Sequence, residues 1–188
     1  MAKVKLAPAV ESIRGHVGNM LFKRWEGQEI VGKLPDRSAI VASADQLAQQ
    51  EKFRLATVYG KACMADPETK QPYEDKADSR GVPAFALMVA DFLNAPVVDE
   101  IDLSAYTGKV GEKIRVRVSD DLDVTGVTMK ITAQSGEVLE TGAAVKGADG
   151  LTWTYTTTTA LSEGQAVAIS VAATDKPGNV TTKTKARP

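Results

Sequence analysis

The chain is almost without cysteine and histidine: Cys63 and His16 are the sole representatives among 188 residues. One cysteine excludes an internal disulfide and any thiolate cluster around zinc. One histidine excludes mechanisms that need two, and any Ser-His-Asp or Cys-His scheme would have to pass through His16. A long apolar run is also missing. The most apolar stretch, Ala84–Leu93, is interrupted only by Asp91 and is far shorter than the roughly 18 residues that cross a bilayer, so no membrane span is expected. Charge of one sign is lacking as well. The formal net charge is −1, with 13 Lys+Arg against 12 Asp+Glu in residues 1–94 and 10 against 12 in 95–188. Neither half attracts nucleic acid or an anionic surface as a whole. The opening MAKVKLAPAVESIRG has no apolar core of the Sec type. Synthesis in the cytoplasm without a Sec signal is the expectation, with an extracellular or particle-bound destination left open.

What is present divides near Pro96. Residues 3–12 read as an extended arm. Met20–Trp25 and Glu29–Pro35, separated by a Gly27 turn, predict a β-hairpin, with Gly15–Asn19 as a flexible lead-in. Ser43 and Gln46 form a capping box ahead of a helix to about Met64, whose apolar stripe is Leu47, Leu55, Val58, Tyr59 and Ala62, with Phe53 outside it. Asp66-Pro67 predicts the start of another helix, broken or kinked at Pro72, with the charged segment 72–79 in solvent. Pro83 and Pro96 bracket the apolar segment, which reads as a short buried helix serving as the floor of the first unit. After Pro96 the helix formers give way to Val, Thr and Gly in period-2 runs: 113–119, 127–133, 137–141, 151–158, 165–174 and 179–185. Short strands at this spacing predict an antiparallel sandwich. Ten threonines between Thr152 and Thr184 fit exposed strand faces. The expected fold class is α+β: a hairpin-and-helix domain over 1–96 and an all-β sandwich over 97–188.

VRVSDDLDVTGVTMKI, from Val116 to Ile131, and VAATDKPGNVTT, from Val171 to Thr182, resemble the immunoglobulin-like domains of bacterial surface and structural proteins. The resemblance implies an immunoglobulin-like sandwich without the inter-sheet disulfide, with Trp153 as its aromatic core residue. Arg14–Phe22 and Gln46–Ala56 resemble an uncharacterised bacterial family, mainly of Bacteroidota, that joins a GKxGN hairpin and an AQxAQRxKF helix to a β-rich module. His16 stands where that pattern has lysine, and Gln50-Glu51 where a basic residue is common. The resemblance therefore implies the two-part layout rather than phosphate or nucleic-acid chemistry.

Four groups of residues invite a chemical reading. Gly15–Asn19 lacks the Gly-Lys-Ser/Thr ending of a phosphate loop, and its glycines mark turns. Lys23, Arg24, Lys33 and Arg37 surround Trp25, but seven basic against four acidic residues in 1–37 is a thin surplus for nucleic acid. Asp120, Asp121, Asp123, Asp175 and Asn179 fall in two loops at one pole of an immunoglobulin-like sandwich, where oxygen ligands could gather calcium; turn formation is the simpler explanation. Cys63 reads as a small buried residue. The expectation is a non-enzymatic structural subunit without a cofactor, a homo-oligomer that polymerises into an extracellular filament or phage-like particle. Phe22, Trp25, Phe85, Met88 and Phe92 are the candidate self-association residues. A nucleic-acid accessory protein using the basic hairpin and a calcium-dependent adhesion module are the alternatives.

Overall fold

The computed structural model describes residues 2–3, 13–36, 41–162 and 164–187. Residues 4–12 of the expected arm and Arg37 lie outside them. The chain forms two compact units, Met1–Gln46 and Leu47–Pro188. The expected division at residue 96 instead falls inside the second unit, because the helices and the later strands pack together.

The first unit is an antiparallel sheet. Strands β1 (Ala2–Lys3), β2 (Gly15–Val17), β3 (Met20–Trp25) and β4 (Gln28–Lys33) run in the order β1-β4-β3-β2. The predicted hairpin is β3–β4. Its two-residue turn, Glu26-Gly27, has φ of 49° and 77°, the paired positive values that match the right-handed twist of the flanking strands. The lead-in is not loose. Gly15–Val17 pairs with Met20–Phe22, turning through Gly18-Asn19, with Gly18 at φ 58°. A glycine there removes the Cβ penalty of the left-handed region.

The second unit begins with three helices. Ser43 and Gln46 exchange the reciprocal capping bonds, at 3.0 and 3.2 Å, that open α1 (Ala44–Ala65). Asp66 caps α2 (Pro67–Arg80) through the Thr69 N–H, and Gly81 closes it in the left-handed conformation. Pro72 does not break α2. A proline at this position removes only the bond to the Glu68 carbonyl, while Tyr73 and Ala77 beyond it are buried and hold the later turns. The segment expected in solvent thus carries a fully buried tyrosine. Helix α3 (Ala84–Leu93) buries Leu87, Met88, Val89 and Asp91. Cys63, Tyr73, Ala77, Leu87 and Met88 form one cluster, into which Leu122 inserts from a loop between strands.

Strands β5 (Val97–Asp102), β6 (Lys113–Ser119), β7 (Val124–Ala133), β8 (Val138–Ala143), β9 (Val145–Lys146), β10 (Thr152–Thr156), β11 (Val167–Asp175) and β12 (Val180–Arg187) make two antiparallel sheets. Their orders are β5-β6-β10-β9 and β12-β11-β7-β8. Alternate residues of both enter one core: Ile114, Val116 and Val118 with Trp153 and Tyr155 on one side, Val127, Met129, Ile131, Ile169 and Val171 on the other. Each such side chain contributes about 1.5–3 kcal/mol of transfer free energy. Residues 97–102, which lie outside the predicted period-2 runs, form the edge strand β5. Lysines of the edge strand β12 reach the free carbonyls of the edge strand β5. Lys183 Nζ donates to the Val98 and Asp99 carbonyls, both at 2.8 Å, and Lys185 Nζ to the Ile101 carbonyl at 2.7 Å. Lysines over free strand carbonyls block the addition of another strand to β5.

Gly142 shows how tightly the core is packed. A Cβ there would lie 2.8 Å from Cε2 of Tyr155, a buried ring fixed by a 2.6 Å hydrogen bond from its hydroxyl to Glu140 Oε1. Gly142→Ala is expected to lower stability by about 1–3 kcal/mol, measured by urea unfolding. An unchanged midpoint would mean that the ring moves freely.

Candidate functional site

The two acidic loops singled out in the sequence do lie together, but what they meet is the end of α3. The β6–β7 loop supplies Asp120, Asp121, Leu122 and Asp123; the β11–β12 turn supplies Asp175 and Asn179. Asn179 Nδ2 lies 3.3 Å from the Asp91 carbonyl, 3.3 Å from that of Phe92 and 3.1 Å from that of Asn94, and 2.7 Å from Asp175 Oδ2. The last carbonyls of a helix have no partner within it, so this amide supplies a cap from a distant part of the chain. Asp175 in turn is held by the N–H groups of Gly178 (2.8 Å) and Asn179 (2.6 Å).

Asp91 is the centre of the site. It is completely buried, and its Oδ2 accepts a 2.5 Å hydrogen bond from the Tyr73 hydroxyl, which lies 2.8 Å from the Tyr59 hydroxyl. Its Oδ1 accepts from the Leu122 N–H at 3.2 Å. The same N–H lies 3.2 Å from Asp120 Oδ2, so two carboxylates face each other across one hydrogen. Burial above all, with the Asp120 charge adding and the Tyr73 bond opposing, raises the Asp91 carboxyl to about 7. Burial likewise raises Asp120. Burial, and then the bond to Asp91, pushes the Tyr73 hydroxyl far up and keeps it a neutral donor. Lys76 Nζ donates to the Leu122 carbonyl, and burial lowers its ammonium pKa.

Three of the calcium candidates are already engaged by protein groups. Asp121 takes the Asn94 amide at 2.7 Å and faces Arg80 at 3.4 Å; Asp123 takes Lys146 on another strand; Asp175 takes backbone donors. Among the described residues, no group of three or more His, Cys, Asp or Glu is placed to hold a metal ion. Beside the joint, Leu93, Asn94, Ala95, Val97, Ser119, Asp120 and Asp121 line a cleft of about 550 Å³. Two of its polar walls, Asn94 and Asp121, are bonded to each other.

No protein-family model and no curated protein matches the chain. Among solved structures, a crystal structure of an engineered protein aligns with 48% of this chain at 27% identity and a TM-score of 0.37. This chain covers 19% of that protein's length. CopC from Methylosinus trichosporium OB3b aligns over 48% of this chain and 89% of its own at 14% identity, also with a TM-score of 0.37.

The candidate self-association residues separate by burial. Met88 is wholly buried in the helical cluster, so it is a core residue and not a contact for a second chain. Phe92 is half-buried, its ring 5.3 Å from that of Tyr59. Phe85 is at the margin, close enough to Gly60 that a Cβ there would lie 2.9 Å from its ring. In the first unit Phe22 is half-buried and Trp25 is 63% exposed; Arg24 lies 3.9 Å from Glu29, which reduces the free charge of the basic hairpin.

Helix α1 reverses its expected orientation. It packs through the small residues Ala56, Gly60 and Cys63, while Leu47, Leu55 and Val58 of the predicted stripe lie exposed, as does Phe53. Close approach of helices favours small residues where they touch, and Gly60 is what admits the Phe85 ring. The sequence signal for this was the 56, 60, 63 spacing, which an apolar-only reading passes over.

Removing the long-range cap has a defined expectation. Asn179→Ala leaves the α3 carbonyls and Asp175 Oδ2 without their donor, at a cost of about 1–3 kcal/mol in denaturant unfolding. Stability within a few tenths of a kcal/mol of the parent would assign the joint to Leu122 and Asp91 alone.

Proposed function

We propose that the protein is a non-enzymatic structural subunit, built on an immunoglobulin-like sandwich, that associates with copies of itself into a homopolymeric assembly such as an extracellular filament or a phage-like particle. The observation that carries the self-association reading is the outer face of α1. Leu47 is 55% and Val58 53% exposed, and Leu55 lies between them; at 100° per residue these side chains point away from the buried Ala56–Gly60–Cys63 line. A row of branched aliphatics in water is costly to maintain and marks an interaction surface when it is contiguous. A second copy can cover this face, and growth beyond a dimer requires that it do so heterologously or through a second interface, because a single isologous contact closes.

The immunoglobulin-like assignment draws on strand order. The pairings β5-β6-β10-β9 and β12-β11-β7-β8 follow the ABED and CFG sheets of that fold in sequence order, with β8 as one additional strand beside C. The family-level resemblances of both halves support the two-part layout, and a fold by itself assigns no activity. The lysines over the β5 carbonyls disfavour strand addition at that edge.

Sedimentation velocity and negative-stain electron microscopy across a concentration series test self-association. The parent chain is expected to form larger species as concentration rises. Leu55→Glu with Val58→Glu is expected to weaken association by at least about tenfold, since pairing the helices would then require burying two unpaired carboxylates. A parent protein that stays monomeric at high concentration would overturn the proposal.

A further inference from the structure

The Asp91–Asp120 pair has an arrangement that neither capping nor packing requires. One backbone N–H, that of Leu122, serves both carboxylates, and Asp120 Oδ1 is buried without any hydrogen-bond partner. Two ionised carboxylates cannot share a single donor in a dry site without strong repulsion. A proton on one of them supplies the missing donor and removes one charge. The pair joins the two layers of the second unit: Asp91 belongs to α3, Asp120 to the loop that delivers Leu122 into the helical cluster.

We propose that Asp91 and Asp120 form a proton-sharing latch, which holds α2 and α3 on the strands while the pair carries one proton and loosens them when that proton is lost to water. The charged and titratable groups around the pair do not replace that proton. From α1 there are the Tyr59 hydroxyl and the Cys63 thiol. From α2, Tyr73 already donates to Asp91 Oδ2, Lys76 spends its ammonium on the Leu122 carbonyl, and Arg80 pairs with Asp121. From the β6–β7 loop, Asp123 is engaged by Lys146. From the β11–β12 turn, Asp175 adds a further buried carboxylate, while Lys176 sits over the Tyr73 ring at 5.3 Å. The neighbourhood therefore adds negative charge next to the pair and places its cations on other acceptors.

Proton linkage sets the direction of the response. Asp91 binds its proton more tightly when docked than when released, so the docked layer is favoured fully below the ordinary carboxylate range. That advantage declines as pH rises and is gone above about 7. The latch closes in mild acid and opens toward alkaline pH.

Hydrogen exchange on the intact protein, corrected for intrinsic rates, measures this directly. Between pH 5 and pH 8 the protection of amides 84–93 is expected to fall by at least about tenfold, the equivalent of one pKa unit or more, while that of β7 and β11 falls less. Asp120→Asn supplies a permanent amide donor at the same place and is expected to flatten the α3 response. Equal protection of α3 at both pH values, or an Asp120→Asn variant as pH-sensitive as the parent, would overturn the latch. Should that variant fail to fold, carboxyl carbon chemical shifts of the unmodified chain decide. An Asp91 carboxyl titrating near neutrality supports the latch, and both carboxyls titrating in the ordinary range near 4 refute it.

Discussion

A carboxyl group buried in the middle of an apolar helix constrains the whole second unit. Asp91 sits among Leu87, Met88 and Val89 with no exposure to water, and a charge so placed costs several kcal/mol unless its oxygens are satisfied. The donors come from both sides: the Tyr73 hydroxyl from α2 and the Leu122 N–H from a loop between strands. Meeting that demand fixes α3 against the end of the two sheets. Once α3 is fixed there, its terminal carbonyls lie where the Asn179 amide can reach them, and Leu122 fills the space between the helices. The helices are therefore one layer of the second unit and not a domain apart from it.

This attachment decides which surfaces remain. Close packing with Phe85 uses the small-residue face of α1, so the larger aliphatic face turns outward. On the sandwich, β5 and β12 form edges on the same side, and Lys183 and Lys185 of β12 cover the β5 carbonyls. An open edge invites strand addition, and covering the β5 carbonyls with lysines removes that route at one edge. The proposed self-association rests on that contrast between a closed sheet edge and an open helical face.

Much of the local structure was legible in the sequence. The Ser43–Gln46 capping box, the Asp66-Pro67 helix start, the hairpin turn at Glu26-Gly27 and strand 113–119 all appear where local signals place them, since each depends on residues within a few positions of one another. The misreadings share a different origin. Segment 97–102 falls outside the predicted runs because Asp99, Glu100 and Asp102 interrupt its apolar residues, and its pairing with β6 is a long-range matter. Pro72 is tolerated because Tyr73 and Ala77 are buried by other elements. Hydrophobicity places the stripe of α1 in the core, yet the Phe85 ring of α3 packs where Gly60 leaves room for it. The acidic loops were correctly gathered at one pole. Their function in the joint was hidden because Asp91, the residue they serve, is about 30 positions from one loop and more than 80 from the other.

The helices and the sheets of residues 47–188 thus act as a single cooperative unit joined at Asp91 and Asn179. Native-state hydrogen exchange at pH 6, with denaturant added in small steps, tests this most directly. Amides of α3 and of the central strands β7 and β11 should converge on one opening free energy as global unfolding is approached. If α3 opened several kcal/mol below the strands under these conditions, in a transition of its own, the joint would not be the feature that organises the unit.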